Sequence, residues 1–101
     1  MSDLYRNEAQ QRLCRLIVLL AGNEFSGVAP SVLARELATS ASNMTRDLNN
    51  LHAAGFAEEV APGRWRLGPR LVQVAVAFAA EVNRARTQLE EISQRYTRLP
   101  N

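Results

Sequence analysis

The stretch Val28–Leu71, VAPSVLARELATSASNMTRDLNNLHAAGFAEEVAPGRWRLGPRL, decides the fold. Pro30 suits the first turn of a helix, where a missing N–H costs nothing. Leu33, Ala34 and Leu37 give that helix one apolar side. Ala38-Thr39-Ser40 is a short turn, and Ser40 is placed to cap the next helix, its hydroxyl accepting from orphan N–H groups of the first turn. Met44, Leu48 and Leu51 recur at helical spacing and mark the buried side of helix 41–54. Its other side carries Ser42, Asn43, Thr45, Arg46, Asn49 and Asn50, all able to hydrogen-bond. Gly55 ends the helix. Phe56–Ala61 and Arg64–Leu67 then read as two short strands joined by Pro62-Gly63, the residue pair that a type II turn favours. Trp65 and Leu67 alternate with Arg64 and Arg66, so one face is expected to pack and the other to present two guanidinium groups. Gly68-Pro69 breaks the second strand.

Outward from this segment the chain is helical on both sides. Residues 3–21 are predicted as a first helix, with Leu13, Leu16, Ile17 and Leu20 on one stripe and Gly22-Asn23 as its left-handed stop. In the following loop Phe25 is expected to tuck beneath the next helix. Downstream, residues 70–99 read as one long helix. Leu71, Ala75, Phe78, Val82, Ala85, Leu89, Ile92, Tyr96 and Leu99 alternate steps of four and three, a sustained heptad seam. The first half is broader, adding Val72, Val74, Val76, Ala77, Ala79 and Ala80, and is expected to pack on the preceding domain or in a multi-helix interface. In the second half only the seam is apolar, which fits two helices. Were two such helices parallel, Glu81 and Arg86 would occupy facing g and e positions.

This order predicts a mainly α chain: a winged helix-turn-helix over residues 1–69, made of three helices and a small β-hairpin wing, and a long C-terminal dimerisation helix over 70–101. At 101 residues and 47% apolar content, one domain with a helical extension can bury a core. The formal charge of +2 is modest. Across Val28–Leu71 five arginines oppose four carboxylates, so a nucleic-acid footprint must come from charge placement, not bulk charge. All basic residues are arginine. That gives planar forks for phosphate or guanine, although biased codon usage is the better explanation of the missing lysine. The single Cys14 excludes an internal disulfide and suits a reducing compartment. No apolar run reads as a secretory or membrane-spanning segment, so a soluble, cytoplasmic protein is expected, without membrane contact.

The residues LARELATSASNMTRDLNNLHAAGF, followed by GRWRLGPRL, resemble the N-terminal DNA-binding domain of IclR-type transcriptional regulators. The likeness runs from the first helix to just past Leu71, and its more specific parts are AAGF and RWRLGPRL. It implies a dimer that sets two recognition helices on adjacent major grooves of double-stranded DNA. Three departures accompany it. The family usually has glycine where Ala38 stands, so this turn is expected either to carry about 1 kcal/mol of backbone strain or to adopt another geometry. Asp47 occupies a position that is generally apolar in the family, so helix 41–54 is expected to sit less deeply there. The chain ends about thirty residues past the hairpin, without the family's effector-binding domain, so no small-molecule effector is expected.

Among single residues, Arg46 is the candidate for base readout, since an exposed arginine can grip guanine with two hydrogen bonds. Its competing roles are a phosphate contact or a pair with Asp47 or Asn50. Ser42, Asn43 and Thr45 lie near the helix N-terminus, close to where base edges and phosphates would be, with capping as the plainer role for Asn43. Asn49 and Asn50 complete that face. Arg64 and Arg66 are placed to reach a minor groove or flanking phosphates, or else to form a charged edge that blocks aggregation. Arg70 either contacts a phosphate or simply begins the long helix. Trp65, Met44 and Cys14 read as packing, and His52 as a surface residue. With no phosphate loop, no cysteine–histidine cluster and one histidine, neither catalysis, a metal nor a cofactor is expected. The self-association residues would be Leu71, Ala75, Phe78, Val82, Leu89, Ile92 and Tyr96. The rival expectation is a protein-binding adaptor or inhibitor, favoured by the low net charge and by Glu58 and Glu59 close to the hairpin.

Overall fold

A computed structural model describes residues 3–100. After one 3-10 turn at Asp3–Tyr5 come α1 (Glu8–Leu20), α2 (Pro30–Glu36), α3 (Ala41–Ala53), β1 (Ala57–Ala61), β2 (Arg64–Leu67) and α4 (Pro69–Thr97). The architecture is mainly helical, with a two-stranded antiparallel hairpin and a long C-terminal helix. The chain divides into two compact units, one ending at Leu71 and one starting at Val72.

In the first unit the core is a cluster of Leu16, Leu20, Leu33, Ala34, Met44, Leu48, Leu51 and Ala57. It draws on α1, α2, α3 and β1, with Trp65 and Leu67 of β2 packed against it. Each fully buried leucine stabilises by roughly 1.5–3 kcal/mol relative to exposure. The predicted stripes are those that pack: Leu16 and Leu20 on α1, Leu33 and Ala34 on α2, and Met44, Leu48 and Leu51 on α3.

Several boundaries differ from the sequence reading. The first helix begins at Glu8, not Asp3, because the side chain of Asn7 accepts from the N–H of Gln10 and caps it there. Phe25 does not tuck beneath α2. It is 96% exposed, since the loop reverses through Gly22 and Gly27, both at positive φ, and directs that side chain outward. Cys14 is exposed and not a packing residue. The long helix stops at Thr97, so Leu99, the last position of the heptad seam, lies beyond it.

The turn between α2 and α3 resolves the choice left by Ala38. That residue has φ +52°, the left-handed conformation that glycine normally supplies. The N–H of Ala38 donates to the carbonyl of Arg35 and that of Thr39 to the carbonyl of Ala34, closing α2 in a Schellman-like stop. An L-residue here costs roughly 1–2 kcal/mol. Ser40 then caps α3 as expected, accepting from the N–H of Asn43 at 3.1 Å.

The hairpin pairs Ala57 with Leu67, Glu58 with Arg66 and Glu59 with Trp65, with an irregularity between Glu59 and Ala61. Gly63 at φ +72° fits the expected turn. One feature was not foreseen: Val28 bridges Trp65 through two backbone hydrogen bonds of 2.8 and 2.9 Å, so the loop before α2 flanks the hairpin. Gly27 permits this approach. A Cβ there would lie 2.6 Å from Cγ1 of Val60 and 3.1 Å from the backbone of Arg64.

In the second unit, α4 runs as unbroken helix, and none of its residues is buried. The broad apolar first half is uncovered in the single chain, with Val74 59% and Phe78 73% exposed. Further along the seam Val82, Leu89, Ile92 and Tyr96 are exposed too. Glu81 is paired with Arg84, three residues on.

Candidate nucleic-acid interface

The side of α3 opposite Met44, Leu48 and Leu51 is the surface to consider. Ser42, Thr45, Arg46, Asn49 and Asn50 are exposed and Asn43 is half-buried. Ala41, Ser42, Thr45, Arg46 and Asn49 line one shallow open depression. The hydroxyls of Ser42 and Thr45, the amide of Asn49 and the guanidinium of Arg46 have no partner among the described residues. Two neighbours are partly committed. The Asn43 amide donates to Thr39 Oγ1 at 3.0 Å, and the Asn50 amide to the carbonyl of Arg46 at 2.8 Å. Asn43 therefore reaches back to the turn, as a capping role would have it, while Arg46 projects with all five donors available.

Arg46 does not pair with Asp47, because Arg12 engages both oxygens of the Asp47 carboxylate. Asp47 is the only buried polar or charged residue among those described, which corrects the expectation of a shallower seat for α3. Its carboxylate is held by Arg12 of α1 through two hydrogen bonds, Nε to Oδ2 at 2.5 Å and Nη2 to Oδ1 at 3.0 Å. The carboxylate's hydrogen bond, aided by its charge, raises the Arg12 pKa above its ordinary value against the cost of burial. A buried ion pair adds little net stability, but removing one partner leaves an unpaired buried charge at a cost of about 3–5 kcal/mol. The pair therefore fastens α3 to α1 in one register and neutralises the single acid on α3. Arg12 and Asp47 also line the cleft between these helices, beside Asn43, Arg46 and Asn50. The signal was in the sequence: Met44, Asp47, Leu48 and Leu51 form one helical stripe, and an aspartate within it demands a cation on the facing helix.

The hairpin arginines are placed differently from the expectation that both present free guanidinium groups. Arg64 donates from Nε to the carbonyl of Ser26 at 2.8 Å and from Nη2 to that of Gly27 at 2.9 Å. Arg66 donates from Nε to Glu58 at 2.9 Å and from Nη1 to the carbonyl of Glu24 at 3.2 Å, and its Nη2 lies 2.7 Å from the same Glu58 oxygen. Both side chains thus tie the hairpin to the loop before α2, and only Nη1 of Arg64 is uncommitted. The acids beside them are engaged as well. Glu58 is the cross-strand partner of Arg66, and Glu59 accepts from the N–H of Gly63 in the turn at 2.9 Å. In the same loop, the N–H groups of Gly22 and of Glu24 itself hold the Glu24 carboxyl below its usual range.

Elsewhere the described residues carry no group of three or more His, Cys, Asp and Glu able to hold a metal ion. No described helix is long and apolar enough to cross a membrane. His52 is exposed and meets Trp65 edge to face, with ring centroids 6.1 Å apart. Arg70 is exposed, and its side chain lies against Gly55 at the start of α4. Comparison with protein-family models, with curated proteins and with solved structures finds no match to this chain.

Proposed function

We propose that this chain is a winged helix-turn-helix protein of IclR type that binds double-stranded DNA in a sequence-directed way, as a homodimer joined through α4. The observation that carries the reading is the outer face of α3, where Ser42, Thr45, Arg46 and Asn49 stand exposed with unengaged polar groups. Directly beneath, Arg12 neutralises the only acid of α3. A helix of this character fits a major groove, with side chains near its N-terminus against base edges. Arg46 is the base-reading residue, Ser42, Thr45 and Asn49 are its polar neighbours, and Asn43 and Asn50 contribute with the part of each amide left free. On the hairpin, Arg64 is the backbone-contacting residue through its free nitrogen, and Arg66 is chiefly a structural tie. If two copies dock in successive grooves, the half-sites lie about 10 bp apart. Selection of bound duplexes from a random pool tests this: enrichment of a paired motif is expected, and an unenriched pool rules out sequence-directed binding.

A second reading is favoured by the hairpin itself. Arg64 and Arg66 are engaged within the chain, and the formal charge is only +2, as suits an adaptor that binds protein and not DNA. A pull-down that recovers a stoichiometric protein partner, with no duplex binding at low salt, would favour that reading.

A further inference from the structure

We infer that the surface along α4 takes a second copy of this chain in parallel, in-register orientation, with Glu81 of each copy paired to Arg86 of the other. This deepens the homodimer part of the proposed function and rests on it. The seam carries exposed apolar side chains from Phe78, 73% exposed, to Leu89, 67% exposed. A helix of this composition is not stable facing water alone, because most helical stability comes from packing its apolar stripe. The direction of the partner follows from what flanks the stripe.

The flanks differ between the two halves of the helix. Val74 and Ala79 border the seam in the first half, whereas Glu81, Arg86, Gln88 and Arg95 border it in the second. In a parallel pair, each g position meets the e position five residues on in the partner. Val74 then meets Ala79, and Glu81 meets Arg86, so apolar faces apolar and acid faces base. In a fully overlapped antiparallel pair with the seams still facing, Val82 would sit against Ala85. Val74 would then face Arg95, Ala79 would face Arg86, and Glu81 would face Gln88. No opposite charges meet in that arrangement, and apolar flanks lie against charged ones.

The chain leaves both partners free to pair. Arg84 engages only Oε2 of Glu81, so Oε1 remains available. Arg86 makes one long contact through Nη1, at 3.4 Å to Asn83, so Nε and Nη2 remain available. Because α4 follows β2 directly, a parallel pair brings the two N-terminal units to the same end of the coil.

Cross-linking between single cysteines decides the orientation. Cys14 is exposed and is first removed as C14S; V82C and A85C are then made separately in that background. Under mild oxidation each variant alone is expected to give a covalent dimer, since a parallel pair places each position opposite its own copy. If cross-linking appears only when the two variants are mixed, the pair is antiparallel. Parallel orientation then fails while the homodimer stands. A dimer in sedimentation that cross-links in neither case excludes the in-register parallel pair, and a monomer overturns both the orientation and the homodimer. Charge reversal gives a second measurement. E81R or R86E alone is expected to weaken dimerisation about fivefold, with E81R/R86E recovering most of the loss. A double variant as weak as the worse single one contradicts the Glu81–Arg86 contact.

Discussion

Three side chains carry consequences that can be measured one at a time. Arg46 projects from α3 without an intramolecular partner, so R46A should leave stability nearly unchanged. It should cost about 1–3 kcal/mol of discrimination between selected and scrambled duplexes, measurable by competition gel shift; unchanged discrimination would remove Arg46 from base readout. Ala38 sits at φ +52°, and A38G should stabilise the fold by about 0.5–1 kcal/mol, the relief of strain less the added entropy of unfolded glycine. A thermal melt that falls instead would show that the turn is not strained. Glu24 titrates below its usual range because backbone N–H groups favour its charged form. Its stabilising effect is complete above the ordinary carboxylate pKa and is lost as pH falls through the lowered folded value. Melts of E24Q against the parent should therefore converge at acid pH and separate near neutrality.

At the scale of elements, the part-buried Arg12–Asp47 pair sets how α3 lies on α1. R12A should destabilise by about 3–5 kcal/mol by leaving Asp47 buried and unpaired, whereas R12M/D47L should restore most of the stability. Denaturant unfolding checks this, and equal loss in both variants would show that packing, not charge, is responsible. The same scale shows what the sequence makes legible. Periodicity located the buried stripes of α1, α2 and α3, and local chemistry located the Ser40 cap and the Pro62-Gly63 turn. Each of those depends on neighbours within about one helical turn. The missed features are long-range: Arg12 meets Asp47 across 35 residues, Arg64 meets Ser26 across 38, and Val28 bridges Trp65. No local spacing encodes such contacts, so Arg64 and Arg66 read as a free charged face although most of their guanidinium nitrogens are engaged by the preceding loop and by Glu58. For Asp47 alone the apolar stripe around it held a usable clue.

For the whole molecule, the proposed function makes the apolar seam on α4 and the polar face of α3 one device, a DNA-reading surface duplicated by self-association. V82D places a charge in the middle of the seam and should convert dimers to monomers in sedimentation. An unchanged dimer would place the interface elsewhere. Loss of dimerisation should also weaken duplex binding far more than it alters folding of the N-terminal unit, because two linked reading heads gain affinity from effective concentration. The most direct measurement of the central claim is an anisotropy titration of a selected duplex at several salt concentrations. Saturable binding is predicted, with log affinity falling linearly in log salt by about 0.9 for each phosphate neutralised. Absence of duplex binding even at low salt would contradict it.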